Sequence, residues 1–156
     1  MVVYHSSTLS VEFPDVKFSR DFLDFGKGFY LTTIYDQAIK YAQRFKRRKK
    51  TAWLSTYELV FNSEEWKILQ FDSYDREWLR FVSDCRTGKD DSDYDLVIGG
   101  IANDEVIQTI ERYFAGEISE NDALGLLKYE KPNNQYCIRS QRMIDKCLKH
   151  KNSVEL

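Results

Sequence analysis

Short hydrophobic runs of two different periodicities follow each other irregularly along this chain of 156 residues. Six runs are aromatic or β-branched and are bounded by polar residues or glycine, as in strands: 2–4, 28–31, 52–61, 66–71, 94–98 and 135–138. Five segments have helical spacing: 35–48, 74–85, 105–114, 123–129 and 141–148. No repeat or linker divides the chain, so the pattern predicts a single α+β domain over 1–150 and a C-terminal tail over 151–156.

Four of the expected helices begin next to residues that favour helix N-termini. These are Thr33 with Asp36, Ser73, Asn103 with Asp104, and Ser119 with Asp122. The segment 99–105 combines two glycines with such a start. It fits either an anion or substrate site at a helix start or a structural turn.

The charge balance limits the classes of partner. A net charge of −2 gives no reason to expect a duplex-binding surface over the whole molecule, so any basic patch must be local. The run 44–50 is such a patch, with six cations at the end of an expected helix. It is either a solvated helix end that complements the helix dipole or a contact for RNA or an acidic protein.

Cysteine usage and hydropathy predict a cytoplasmic protein with no membrane association. The three cysteines, Cys85, Cys137 and Cys147, are widely spaced and have no zinc-binding pattern, so we expect free thiols. No apolar run approaches the roughly 20 residues that cross a bilayer, and the N-terminus lacks the pattern of a secretory signal. The acidic run 90–95 lacks the further ligands of a calcium loop and is expected to be a solvated loop, so no metal site is predicted.

The segment 24–33, Asp-Phe-Gly-Lys-Gly-Phe-Tyr-Leu-Thr-Thr, carries the clearest functional signal. Two glycines flank Lys27 and lead directly into an aromatic strand. Glycine allows positive φ and close approach of the backbone to a flat ligand. Alone, this arrangement is more often a turn than a binding site. The interpretation as a binding site becomes stronger because Tyr4-His5-Ser6-Ser7 lies on the first expected strand and Gln135 begins the last expected strand.

Together these motifs resemble the ADP-ribosyltransferase superfamily, in the branch that has a histidine, a tyrosine and a late glutamate around NAD⁺. The resemblance runs in order from the first strand nearly to the last. It is closest to an uncharacterised bacterial family, the domain of unknown function 3990, through 24–30 and the later segment 94–104. It implies a split β-sheet core with flanking helices.

The resemblance also implies residue roles. His5 takes the histidine position and contacts the adenosine-side ribose, while Tyr30 and Tyr41 sandwich nicotinamide. Gln135 takes the place of the glutamate that binds the ribose 2′-hydroxyl and stabilises developing positive charge. The remaining residues expected to line the NAD⁺ site are Ser6, Ser7 and Gly28.

Two departures from the family pattern affect the expected activity. Gln135 can hydrogen-bond the 2′-hydroxyl but carries no charge and cannot act as a general base. Ser6 stands where the family has glycine, so a Cβ lies beside the nicotinamide amide.

The expected function is mono-ADP-ribosylation of a protein or nucleic acid with NAD⁺ as donor. The resemblance to the superfamily also suggests a bacterial toxin with an antitoxin partner, or a defence effector. A catalytically weak or inactive module that binds NAD⁺ or ADP-ribose and an NAD⁺ glycohydrolase remain alternatives.

Overall fold

The structure, a computed structural model, describes residues 1–156 and contains seven strands and five α-helices. The strands are β1 (Val2–Ser7), β2 (Phe29–Thr32), β3 (Trp53–Leu59), β4 (Ile68–Gln70), β5 (Leu96–Gly99), β6 (Gln135–Ile138) and β7 (Leu148–Glu155). The helices are α1 (Tyr35–Arg47), α2 (Arg76–Arg86), α3 (Asp104–Phe114), α4 (Glu120–Leu127) and α5 (Gln141–Cys147). The α+β class is confirmed. None of the helices has both the length and the apolar character needed to cross a bilayer.

All seven strands belong to one mixed sheet in the order β4-β5-β6-β2-β1-β3-β7. Only β4 and β5 pair in parallel; the other neighbours are antiparallel. The junction between β1 and β2 is the shortest, with the single register pair Tyr4 and Thr32. By contrast, β1 pairs with β3 along its whole length and β2 pairs with β6 along its whole length. The sheet is therefore least tightly closed at its centre.

Each face of the sheet buries its own hydrophobic cluster, because successive side chains of a strand point to opposite faces. On one face Val3, Phe29 and Tyr57 pack with α5, which contributes Met143. On the other face α2, α3 and α4 cover Val97 and Cys137 of β5 and β6.

Helix α1 covers β1 and β3 on the same face as α2 to α4. Its buried residues are Ala38 and Ala42, one turn apart, whose small side chains let the helix lie close to the sheet.

Two helix starts agree with the sequence and two do not. Asn103 caps α3, and Ser119 with Asp122 forms a reciprocal capping box at α4. Helix α4 therefore begins three residues earlier than its hydrophobic pattern suggested. At α1 the N-cap is Ile34 with no side-chain cap, and the hydroxyl of Thr33, the expected cap, accepts from Asn134 Nδ2 at 2.8 Å instead. At α2 Asp75, rather than Ser73, provides the cap.

The C-terminal residues form a strand rather than a tail. Strand β7 pairs with β3 from Leu148 to Glu155, with a bulge opposite Thr56 and Tyr57. Its sequence, Leu-Lys-His-Lys-Asn-Ser-Val-Glu, has little apolar character because an edge strand is held mainly by main-chain hydrogen bonds. Residues 151–155, expected to lie outside the domain, thus belong to its sheet.

Candidate functional site

Residues 5, 30 and 135 lie on three neighbouring strands at the centre of the sheet, in the order β6-β2-β1. Gln135 is the register partner of Thr32, and Tyr30 is the partner of Cys137. Side chains of partner residues share a face, so Tyr30, Thr32 and Gln135 all face α1 and the helices beside it. The fold therefore brings together segments separated by more than a hundred residues of sequence.

Gln135 is held by a residue that the sequence motifs did not identify. Its amide nitrogen, Nε2, donates to Oε1 of Gln37 in the first turn of α1 at 2.7 Å. The Thr32 hydroxyl donates to the same oxygen at 2.5 Å. Gln135 is 8% exposed, yet its own Oε1 receives no protein hydrogen bond and is not fully buried. The arrangement leaves one amide oxygen free to accept a hydrogen bond from a ligand.

One sequence feature could have identified Gln37 as a site residue. It lies one helical turn before Tyr41, on the same side of α1.

His5 lies on β1 beside the point where β1 and β2 diverge. Its Nδ1 lies 2.8 Å from the main-chain oxygen of Tyr30, and its ring packs on Phe29 at a centroid distance of 4.2 Å. A carbonyl only accepts, so Nδ1 carries the proton, and in the neutral ring Nε2 is an acceptor. Burial lowers the pKa of His5 below its ordinary value of 6.5, which favours that neutral ring.

The ring of His5 does not share a face with Gln135. Alternation along β1 places His5 with Val3 on the α5 side, whereas Ser6 points to α1. The two side chains can therefore meet one ligand only if it lies across the gap between β1 and β2.

Tyr30 has a structural role that its motif did not reveal. Its hydroxyl donates to the Gly26 oxygen at 2.6 Å and accepts from the Phe25 N–H at 3.0 Å. Its ring is partly buried and stacks on Phe25, and burial raises the pKa of the phenol far above its usual range. The tyrosine therefore remains protonated and holds the turn before β2 in place.

The two glycines of this turn are needed for different reasons. Gly26 has φ +76°, which favours glycine. At Gly28 a Cβ would come within 2.4 Å of Cys137 Sγ and 2.8 Å of the Ile138 oxygen. Gly28 thus allows β2 to approach β6 closely.

The remaining expected site residues are dispersed. The Ser6 hydroxyl donates to the Ala38 oxygen and ties β1 to α1, and that of Ser7 donates to the Leu9 oxygen. Tyr41 is 40% exposed and lies beneath the guanidinium of Arg44 at 5.2 Å. Of these residues, Tyr41 presents the most accessible surface to a ligand.

The motif at 24–30 is physically joined to the segment 94–104. The Asp24 carboxylate accepts from the Ala102 N–H at 2.8 Å and from Arg86 at 3.2 Å. Burial raises the pKa of Asp24 more than these donors lower it. This carboxylate fixes the glycine turn relative to the loop before α3.

The segment 99–105 is a structural turn. A Cβ on Gly100 would lie 2.5 Å from the Tyr74 hydroxyl oxygen, and the Gly100 oxygen accepts from the Trp78 indole at 2.7 Å. The Ile101 N–H is bound to Asn133. These contacts hold the turn in place against α2 and the segment before β6.

A cavity of about 420 Å³ lies on the far side of the glycine turn, lined by Lys27, Cys85, Asp90 and Arg139 among others. It contains neither Tyr30 nor Gln135. Asp90 and Arg139 form a largely buried ion pair at 2.8 Å, so the acidic loop is more ordered than the sequence suggested. Arg139 also donates to Ser92, which leaves the guanidinium largely occupied.

The three cysteines are free, as expected, and the structure shows that all three are buried. No three His, Cys, Asp or Glu side chains are placed to hold a metal ion.

Comparison with known proteins gives one match. Neither a curated protein nor a solved structure matches the chain. The model of a family described as "Protein of unknown function (DUF3990)" matches residues 1–150, which confirms the family expected from the two motifs. The chain belongs to the DUF3990 family.

Proposed function

We propose that this protein is an NAD-dependent mono-ADP-ribosyltransferase with an ADP-ribosyltransferase-like core, and that NAD⁺ binds across the gap between β1 and β2. The main support is that residues 5, 30 and 135 occupy three adjacent central strands. A second support is that β1 and β2 share a single register pair, so the sheet is least closed where a split sheet is expected to open.

The protein groups near this gap fit the parts of the dinucleotide. His5 Nε2, as an acceptor, suits a hydroxyl of the adenosine-side ribose. The free Gln135 Oε1 suits the 2′-hydroxyl of the other ribose. Tyr41 offers an exposed ring for nicotinamide, and such stacking contributes about 0.5–1.5 kcal/mol beyond burial. Tyr30 supplies part of its ring and holds the glycine turn against the ligand.

In the reaction the C1′–N bond of NAD⁺ breaks and its electron pair leaves with neutral nicotinamide. Positive charge develops on the ribose, the acceptor nucleophile attacks C1′, and its proton passes to solvent. Gln135 orients the ribose, but its neutral amide stabilises the charge less than a carboxylate does. We therefore expect slow turnover, or an acceptor that needs little activation.

One experiment separates the functional classes. The protein is incubated with labelled NAD⁺ and bacterial cell extract, and nicotinamide release and label transfer are followed separately. Transfer supports the proposed activity, whereas release without transfer indicates an NAD⁺ glycohydrolase. Growth arrest of a bacterial host on expression, relieved by a protein partner, would support a toxin role.

The second candidate is a non-catalytic module that binds NAD⁺ or ADP-ribose. The observation that favours it is the engagement of Gln135 with Gln37, which places two neutral amides where charge would be useful. Binding of NAD⁺ by calorimetry, with neither release nor transfer, would establish this alternative.

A further inference from the structure

One surface of α1 carries most of the unbalanced positive charge of the molecule. Residues 40–50 contain seven Lys or Arg and no Asp or Glu. Outside them the chain has 16 Lys and Arg against 25 Asp and Glu, a net charge of −9. We call this set the α1 cationic surface: Lys40, Arg44, Lys46, Arg47, Arg48, Lys49 and Lys50. All seven are exposed, and only Arg44 has a carboxylate partner, Asp104 at 3.5 Å.

The charges are arranged along one side of the helix and around its end. Lys40, Arg44 and Arg47 have the spacing i, i+4, i+7 and therefore form a stripe facing away from the sheet. The chain then turns, with the Lys50 N–H bonded to the Phe45 oxygen and Lys49 at φ +58°. Glycine is the favoured residue at such a position. The turn thus retains a cation where the backbone favours glycine.

Helix stability does not account for this arrangement. Cations in the last turn complement the helix dipole, which explains Arg44 to Arg47. Lys40 lies nearer the middle of α1, and Lys49 and Lys50 lie beyond its end. Like charges one turn apart also repel each other. An external anionic partner explains what the fold does not.

The chemistry of the surface favours a phosphate backbone over an acidic protein. Apart from the cations, the only exposed side chain in 40–50 is Tyr41. Protein interfaces usually have an apolar centre, which this surface lacks. Binding to phosphates can rest on charge alone. The rest of the chain has a net charge of −9, so no wider basic surface is present to follow a duplex.

We propose that the α1 cationic surface binds single-stranded nucleic acid through its phosphates. Tyr41 follows Lys40 directly and lies one turn from Gln37, the partner of Gln135, so the cations and the proposed reacting centre belong to the same helix region. The strand is thereby placed as the acceptor of ADP-ribose. This acceptor role rests on the proposed function, whereas binding of the strand does not.

The test measures fluorescence anisotropy of a labelled 12-nucleotide oligouridine against salt concentration. The variant Lys40→Gln/Arg47→Gln/Arg48→Gln should bind more weakly, and its slope of log K against log salt should be shallower by about 2, since each phosphate contact contributes about 0.7. The matched control Lys131→Gln/Lys146→Gln/Lys149→Gln removes three exposed cations elsewhere and should retain the wild-type slope. Circular dichroism checks that both variants fold.

The proposal would be overturned if the wild type did not bind oligouridine at low salt, about 50 mM. It would also be overturned if the control variant lost as much affinity as the triple variant of the α1 cationic surface. Equal competition by polyglutamate would indicate an acidic protein partner, and tighter binding of a duplex would exclude the single-strand preference. If NAD⁺ displaced the oligonucleotide, the cations would belong to the dinucleotide site. Oligouridine binding without nicotinamide release would contradict only the proposed function.

Discussion

Replacing Gln135 by Glu changes one neutral amide into a carboxylate at the proposed reacting centre. In the wild type Gln37 Oε1 receives two hydrogen bonds, one from Gln135 and one from Thr32. A carboxylate cannot donate, so the Gln37 amide must turn its Nε2 toward the new oxygen. The Thr32 hydroxyl then loses its acceptor.

The expected loss of stability follows from that rearrangement. An unpaired polar group in a buried position costs about 1–3 kcal/mol. For a chain of this size each kcal/mol lowers Tm by about 2–4 °C. We therefore expect Tm to fall by roughly 2–12 °C while the variant stays folded.

The expected gain is in chemistry. A well-placed electrostatic contact to a developing charge contributes about 3 kcal/mol, equivalent to roughly a hundredfold in rate. Nicotinamide release by Gln135→Glu should increase toward that factor. The increase should grow with pH, because burial raises the pKa of the new carboxyl and only its charged form stabilises the ribose.

The assay is nicotinamide release under saturating NAD⁺, with Gln70→Glu as the matched control. Gln70 is an exposed residue of the edge strand β4, so the same substitution there should leave the rate unchanged. Equal rates for wild type and a folded Gln135→Glu would refute the assignment of Gln135 to the reacting centre. If wild type already transfers ADP-ribose efficiently and the variant transfers more slowly, the amide is tuned to its acceptor.

The structure leads to three further predictions. Gly28→Ala should lower the free energy of unfolding by about 1–3 kcal/mol in denaturant titrations, because the new Cβ would overlap Cys137 Sγ. The control Gly125→Ala, in a helix with open space around it, should be neutral or stabilising. Equal losses in the two variants would contradict the close packing at Gly28. The pKa of His5 is lower in the folded state than its ordinary 6.5, so the unfolded chain binds more protons and stability should fall as pH drops below about 6.5. The pH dependence of Tm should be weaker in His5→Gln, and an unchanged pH dependence in that variant would exclude a buried neutral ring. Tyr30→Phe keeps the ring but removes two hydrogen bonds, so urea unfolding should show a loss of about 1–3 kcal/mol, whereas NAD⁺ affinity, measured on the folded variant, should change little if only the ring contacts the ligand.

Local sequence patterns predicted the elements that depend on local physics. The strands around Tyr30 and Gln135 were recognisable from their aromatic and β-branched residues. The capping box of Ser119 and Asp122 marked the start of α4. The motif order also placed residues 5, 30 and 135 on strands, although adjacency of those strands depended on the resemblance.

Long-range contacts could not be predicted in this way. Strand β7 has no apolar run and forms because β3 offers an unpaired edge. The bond from Gln135 to Gln37 joins residues 98 positions apart, and that from Ala102 to Asp24 joins residues 78 apart. The hydroxyl of Tyr30 shows the same limit, because its turn partners are visible only once the backbone is folded. Its removal by Tyr30→Ala therefore disturbs the fold as well as any ligand contact.

A crystal structure of the protein with NAD⁺ would test the proposed dinucleotide site directly. We expect a dinucleotide across the gap between β1 and β2, with His5 Nε2 and Gln135 Oε1 each within hydrogen-bond distance of a ribose hydroxyl and nicotinamide against Tyr41. NAD⁺ in the cavity beside Lys27 and Arg139, or no bound dinucleotide at concentrations that saturate known NAD⁺ sites, would contradict it.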